Sequence, residues 1–491
     1  MPLERRRVLT GGAAAAGLAA ISTATATTAF ASGRPATATA TATATDPRRA
    51  PGRLFGPLMP AGEHLHLPAD FSYQIIAEAG VTELLDPSGT VIGTSPTTPD
   101  GLGVFRAGNR LRLVLNHELR GGEPLPVPHT KGTVYDPGVL GGGCTVLEVT
   151  SDGRRLSQWV GLSGTVRNCA GGVTPWETWL SCEESEDRAG TVGDDGVAYE
   201  KDHGFVFEVA PAAPGAVAPR PIRAFGRAPF EAAVVTPSRR EVYLTEDATD
   251  GLLYRWLAPE GLRLGPEVAG NLRPSAGVLE AMGVLTDDGE VLPHLACITS
   301  AQIGRPLRTR WTRVEDRTAA ATSMRYQFPA EGVVTRHPKI EGAWSDGSGI
   351  WFAASYTKDP LPWSAPRNRG MIFRYDLRTS TLTLKAYFPW LDVMPGLDAP
   401  AWARDHYFDG PDNVHVTPYG GLIITEDGSG ASHVLSWTEE LGAQAVALNA
   451  IDDEEFSGPC FSPDGKTLFV STQTEPGRTF AITGPWKRYL G

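Results

Sequence analysis

Residues 168–185 read NCAGGVTPWETWLSCEES. A turn signal at Pro175 is followed by the apolar run from Trp179 to Cys182, which stops at two adjacent acids, Glu183 and Glu184. The same grammar recurs along the chain: GNRLRLVLNHE (108–118), PWETWLSCEE (175–184), SRREVYLTED (238–247), GSGIWFAASY (347–356), YGGLIITEDG (419–428) and DGKTLFVSTQ (464–473). A second kind of run tends to follow the first: GGCTVLEV (142–149), HGFVFEV (203–209), DGLLYRWL (250–257), GMIFRYDL (370–377) and SHVLSWT (432–438).

Short strands between turn signals, with almost no long helical periodicity, predict an all-β chain. Two strand types alternating as an internal repeat point to the blades of a β-propeller. Five to seven blades fit the length, with a metal site expected at the channel mouth. The continuously apolar, acid-ended runs are expected to be the inner strands, because strands buried on both faces lose the polar alternation. A pair of β-sandwich domains is the competing architecture. It does not explain why acids return at one place in the repeat.

The chain opens with Arg5, Arg6 and Arg7, then a short apolar run closed by Ala29, Phe30 and Ala31. A charged start, a run below the ~20 residues of a membrane span and an A-x-A ending describe a signal peptide over 1–31. The Arg5–Arg6 pair fits the twin-arginine route, which carries folded proteins, so the mature chain is expected outside the cell membrane. Residues 32–53 are a low-complexity spacer. A single propeller domain is expected over 54–491, with an insertion within 258–340.

The whole chain has 44 basic and 56 acidic residues, a net charge of −12. Residues 1–31 hold three Arg and one Glu, so the mature chain carries 41 against 55, or −14. That balance argues against a nucleic-acid partner and suits a protein that gathers cations.

Acids close four of the six runs: Glu118, Glu183 with Glu184, Glu246 with Asp247, and Glu426 with Asp427. Equivalent strand ends of a propeller converge on one mouth, where unneutralised carboxylates raise one another's pKa values. Ca²⁺, which takes six to eight oxygen ligands, could share such a site. A further tier stands beside the same strands: the PDG of 99–101, Glu231, Glu341, and Asp412 with Asn413.

The five cysteines leave at least one unpaired in an exported chain. Cys169 and Cys182 could form a disulfide, hold a metal or pack separately. Cys182 lies in an apolar strand where side chains alternate, so it is expected to turn into packing. Cys169 precedes Gly171 and Gly172, read as a flexible turn that lets a thiolate approach an ion. Such a soft ligand among oxygens suits iron better than calcium.

The strings PDGLGVF, LVLNHE, NCAGGVTPWETWLSCEE, VYLTEDATDGLLYRW, EGAW, PDNVHVTPYGGLIITEDG and the tail EFSGPCFSPDGKTLFVSTQTEPGRTFAITGPW resemble the PhoX-type alkaline phosphatases, in a compact branch of that family. The resemblance runs from Asp100 nearly to the C-terminus. It implies a six-bladed propeller exported by the twin-arginine machinery, with bound Fe³⁺ and Ca²⁺, that hydrolyses phosphate monoesters. By motif, Cys169 is the iron ligand, and the metal-binding acids are Glu118, Glu183, Glu231, Glu246 or Asp247, Glu341, Asp412, and Glu426 or Asp427. Where the family has His-Glu this chain has Phe230–Glu231, which removes a polar group from the site.

No GxSxG elbow and no Gly-rich phosphate loop occurs, so a metal-bound oxygen is the simplest nucleophile. Arg336 is the candidate phosphate clamp. His117 is either a ligand or a packed histidine. Small phosphate esters are the expected partners and a monomer the expected state. A calcium-dependent hydrolase of another ester class, such as a lactonase, and a non-catalytic binding propeller are the competing readings.

Overall fold

The computed structural model describes residues 53–212, 217–358 and 365–491. The leader, and the spacer up to residue 52, lie outside the described residues. Residues 50–491 cluster as one compact unit. Among the described residues helix is limited to Ala401–Arg404, Trp486–Leu490 and short 3-10 turns, and the rest is all-β. No helix there is long and apolar enough to cross a membrane.

The architecture is propeller-like. One sheet runs Pro99–Ala107, Arg110–His117, Gly142–Thr150, Arg155–Thr165, and the next Asn168–Val173, Trp179–Glu183, Val206–Val209. A nine-stranded sheet follows, from Phe230–Val235 through Glu241–Glu246, Leu253–Leu257, Val278–Val284 and Pro306–Arg313 to Thr381–Pro389, Asn368–Asp376, Gly349–Ala354 and Ile340–Ser345. It curls until its end strands touch. Then come Pro411–Val416, Leu422–Glu426, His433–Thr438, Gly442–Asn449, with Leu65–Leu67 and Met59–Pro60 added outside. The last sheet, Phe456–Phe461, Thr467–Thr472, Arg478–Thr483, is completed by the N-terminal strand Ser72–Glu78, which ties the two ends of the fold together.

The first strands of these antiparallel runs touch in a closed ring: Pro99–Ala107, Asn168–Val173, Phe230–Val235, Ile340–Ser345, Pro411–Val416, Phe456–Phe461 and back to Pro99–Ala107. Apolar side chains fill the wedges between neighbouring sheets. Leu180, Cys182 and Val206 pack there against Phe230, Ala233, Leu244 and Tyr254. Each large side chain so buried contributes roughly 1.5–3 kcal/mol.

Each acid-ended run forms the second strand of its sheet, not the strand nearest the axis. The ring is made by the segments that precede those runs. The physical reason is that a second strand is covered on both faces by adjacent sheets and on both edges by its neighbours, so continuous apolarity marks burial between layers and not distance from the axis. Gly171 and Gly172 likewise lie inside a ring strand, not in a turn. A Cβ at Gly171 would sit 1.9 Å from the Leu180 carbonyl oxygen and one at Gly172 2.0 Å from that of Ala233, so the glycines permit close approach of neighbouring backbones. Within 258–340, Val278–Val284 and Pro306–Arg313 are strands of the nine-stranded sheet, and the remainder is turns and loops.

Candidate metal centre

One local geometry is repeated six times. The first residue of each ring strand pairs with the last residue of the second strand: Pro99 with His117, Asn168 with Glu183, Phe230 with Glu246, Ile340 with Ala354, Pro411 with Glu426 and Phe456 with Thr472. The register shifts immediately afterwards in the first five pairs, and in the sixth one residue later, after Ser457 has paired with Ser471. Such a bulge bends the strand and re-aims the side chain beside it. The residue at that place is Asp100, Cys169, Glu231, Glu341, Asp412 and, in the sixth copy, Ser457.

A second tier comes from the residue after each second strand. Its amide donates to the carbonyl of the residue ahead of the ring strand: Glu118 to Thr98, Glu184 to Arg167, Asp247 to Pro229, Ser355 to Lys339, Asp427 to Gly410 and Gln473 to Glu455, at 2.8–3.2 Å. The residues ahead of the ring strands make a third tier. Arg167 and Lys339 there have φ of 48° and 58°, so the backbone turns sharply where the two cations enter the centre.

These tiers converge. Donor atoms of Asp100, Glu118 and Cys169 lie within 4.8 Å of one another, as do those of Glu231, Glu341 and Asp412. Arg167 donates to Glu118 at 2.7 Å and also pairs with Glu184, and the Cys169 thiol donates to Glu184 at 3.2 Å. Gln473 donates to both Asp100 (3.3 Å) and Glu118 (3.2 Å). Lys339 Nζ lies 3.0 Å from Asp427, 3.2 Å from Glu341 and 4.0 Å from Asp247. Behind Cys169, Asn116 donates to the carbonyls of Cys169 and Ala170 at 2.6 and 2.8 Å, which fixes the bulge.

The charge is unbalanced. Nine carboxylates, those of Asp100, Glu118, Glu184, Glu231, Asp247, Glu341, Asp412, Asp427 and Glu455, crowd one another around the centre, and among the described residues Arg167 and Lys339 are the cations set between them. Burial, then the neighbouring Asp247, push Glu184 up to about 8; burial, then Asp427, do the same for Asp412. Burial and the carboxylates of Glu118, Glu184 and Glu231 raise the Cys169 thiol well above its ordinary value. Asp100 Oδ1 is buried without a hydrogen-bond partner among the described residues. Carboxylates held in mutual repulsion, an orphaned buried oxygen and one thiol make a donor set that fits cations of two kinds, oxygen-seeking and thiolate-seeking.

Of the acids singled out from sequence, Glu118, Glu231, Asp247, Glu341, Asp412 and Asp427 are brought together with Cys169. Glu183, Glu246 and Glu426 are not. Glu183 accepts from Val166, Gly204 and Phe205 amides and from His203; Glu246 from Leu252, Tyr254 and Arg325; Glu426 from Asp409 and from the amide and ring of His433. As last residues of the second strands they point away from the residues that follow them, and each ties its sheet to the next connection. Arg336 is also elsewhere: its guanidinium donates to the carbonyls of Arg325, Asp250, Phe328 and Pro329. His117 is a packed histidine between the Thr97 carbonyl and Thr145. Cys182 and Phe230 are core residues, and all five cysteines are free.

Sequence reasoning names Glu184 beside Glu183, and Asp100 within the PDG of 99–101, without assigning either as a metal ligand, and does not reach Arg167, Lys339, Gln473 or Glu455. The usable signal was positional. Each sits one residue before, one residue into, or one residue beyond the paired strand ends.

A protein-family profile described as alkaline phosphatase PhoX matches residues 53–477. No curated protein matches the chain. Among solved structures, the chain is similar to Pseudomonas fluorescens PhoX in complex with vanadate, a transition state analogue, with 18% identity, a TM-score of 0.61, and 88% of this chain and 98% of that one covered. A gluconolactonase from Xanthomonas campestris follows at 15% identity and a TM-score of 0.34, covering 88% and 100%. Trypanosoma rangeli sialidase stands at 9% identity and 0.38, covering 86% and 61%.

Proposed function

This chain belongs to the PhoX family of alkaline phosphatases, and on that premise we propose that it hydrolyses phosphate monoesters at the ring around Cys169, with iron and calcium as resident ions. The observation that carries this reading is the placement of one buried thiol with Asp100 and Glu118, donor atoms within 4.8 Å, beside an all-oxygen group of Glu231, Glu341 and Asp412. Asp100, Glu118 and Cys169 would hold iron, and Glu231, Glu341 and Asp412 calcium. When bound, the ions neutralise the phosphoryl charge and activate the attacking oxygen.

The side chains prepare the centre for that chemistry. Arg167 and Gln473 orient Glu118, and Gln473 also orients Asp100. Asn116 fixes the backbone under Cys169. Lys339, not Arg336, is the cation placed to face a phosphoryl oxygen, because its ammonium lies among Glu341, Asp247 and Asp427. The closed ring of first strands is read as six blades, with the centre at the mouth of their channel. The Arg5–Arg6 leader is read as a twin-arginine signal that delivers a folded monomer outside the cell membrane.

Elemental analysis of protein exported by its own leader, with an aryl phosphate assay, tests this. Iron and calcium should copurify, hydrolysis should be faster at alkaline than at neutral pH, and vanadate should inhibit. Metal-replete protein that cleaves lactones and leaves aryl phosphates intact would overturn the assignment.

A further inference from the structure

The six second-tier positions are equivalent in backbone geometry and unequal in charge. Glu118, Glu184, Asp247 and Asp427 are acids and Gln473 is an amide, but the remaining place is held by Ser355, short and neutral. Its amide bonds to the Lys339 carbonyl at 3.0 Å, so the serine and the lysine belong to one sector of the ring. Tyr356 follows directly. Its ring lies 5.9 Å from Lys339 Nζ and 4.0 Å from Lys358 Nζ. Lys339 is partly open to solvent, Lys358 is exposed, and Tyr356 is half-buried. Lys358 has no carboxylate partner among the described residues.

An anionic substrate must reach a centre surrounded by carboxylates on a chain of net charge −12. Repulsion is weakest where the acid is missing and cations stand, and exposed charges at an entrance act on encounter and on whatever part of the ligand remains outside. We propose that Lys339, Tyr356 and Lys358 form the rim against which the leaving group of the phosphate monoester rests, and that Lys358 favours leaving groups carrying a second anionic group. This rests on the phosphatase reading. Lys339 faces the phosphoryl group, Tyr356 gives an apolar surface to the adjoining atoms, and Lys358 lies beyond it, on the side a leaving group would occupy. The preferred substrates are bisphosphates or carboxylated phosphate esters, over neutral alkyl or aryl monoesters.

The test compares kcat/KM of the metal-replete, full-length enzyme for phenyl phosphate and for carboxyphenyl phosphate at low ionic strength. The ratio of carboxylated to neutral substrate should fall about two- to fivefold in Lys358→Ala, the scale of one exposed charge pair, and further in Lys358→Glu, mostly through KM. Added salt should erase the difference. Lys466→Ala removes the same charge from an exposed turn at the far end of the ring strands and should leave the ratio unchanged. An unchanged ratio in both Lys358 variants, or an equal fall in Lys466→Ala, would overturn the rim while leaving the phosphatase reading intact. Wild-type enzyme that hydrolyses neither ester would remove the phosphatase reading and the rim with it.

Discussion

Glu183 and Glu184 share a peptide bond and face opposite environments. Glu183 is fully buried and takes hydrogen bonds from three backbone amides and from His203 at 2.6 Å, whereas Glu184 meets the Cys169 thiol at 3.2 Å and pairs with Arg167. The doublets Glu246–Asp247 and Glu426–Asp427 divide in the same way, one acid holding a connection and the next facing the centre. Three repeats of one division of labour make it a property of the strand end.

The two members of the doublet should therefore fail differently. Glu183→Gln should lower the stability of the protein by about 3 kcal/mol, because His203 loses a buried partner. Glu184→Gln should cost little stability and reduce phosphatase activity about tenfold or more. Denaturant melts and activity measured on the same two variants check this; matching stability losses would refute the division.

The cysteines separate along the same line. Cys169→Ser should lose iron and activity and remain folded. Cys182→Ser should keep its metals and lose between about 1 and 3 kcal/mol, since it places a hydroxyl among Leu180, Val206 and Phe230. Metal analysis beside thermal melts reads both, and iron retained in Cys169→Ser would count against the thiolate ligand.

Stripping the ions should make stability fall as pH rises. Glu184 and Asp412 titrate at about 8 in the folded chain and near 4 when unfolded. Between those values the folded state holds protons that the unfolded state has released, so unfolding becomes easier with each step upward in pH. The Tm in excess chelator should be clearly lower at pH 8 than at pH 5, and added Ca²⁺ should restore it. A chelated protein whose Tm is flat over that range would contradict the crowding of these carboxylates.

His203 carries the opposite dependence. Burial disfavours its charged form, yet the Glu183 carboxylate and hydrogen bonds to Asp136 and Glu183 outweigh that and bring it to about 9. A folded value above the unfolded one, about 6.5, means its contribution is complete below that value and disappears as pH rises through 9. The Tm gap between wild type and His203→Gln should narrow between pH 7 and pH 10. A gap that stays constant would show that His203 is neutral throughout.

Much of the fold was legible because its signals are local. All six apolar runs, four of them closed by acids, are strands and the five runs that follow are third strands, since a turn residue, an apolar stretch and a polar end are specified within about ten residues. The thiol of Cys169 and the acids Glu231, Glu341 and Asp412 were also findable, as unusual residue types beside those strands.

What the residues alone left open was direction. Adjacent side chains on a strand point to opposite faces, so the choice between Glu183 and Glu184 depends on one register position, and that position is set by pairing with Asn168 and the bulge after it. The exchange of Arg336 for Lys339 has the same origin: the two are three residues apart, but only Lys339 stands at the turn into a ring strand, while Arg336 is consumed by the carbonyls of Arg325 and Phe328. Glu455 enters the centre because the last sheet, completed by Ser72–Glu78, brings its ring strand back against Pro99–Ala107. The sequence by itself determined which segments are strands and which residue types border them, because those are contests among neighbours in the chain; which of those residues face one another was decided only when six distant segments closed into a ring.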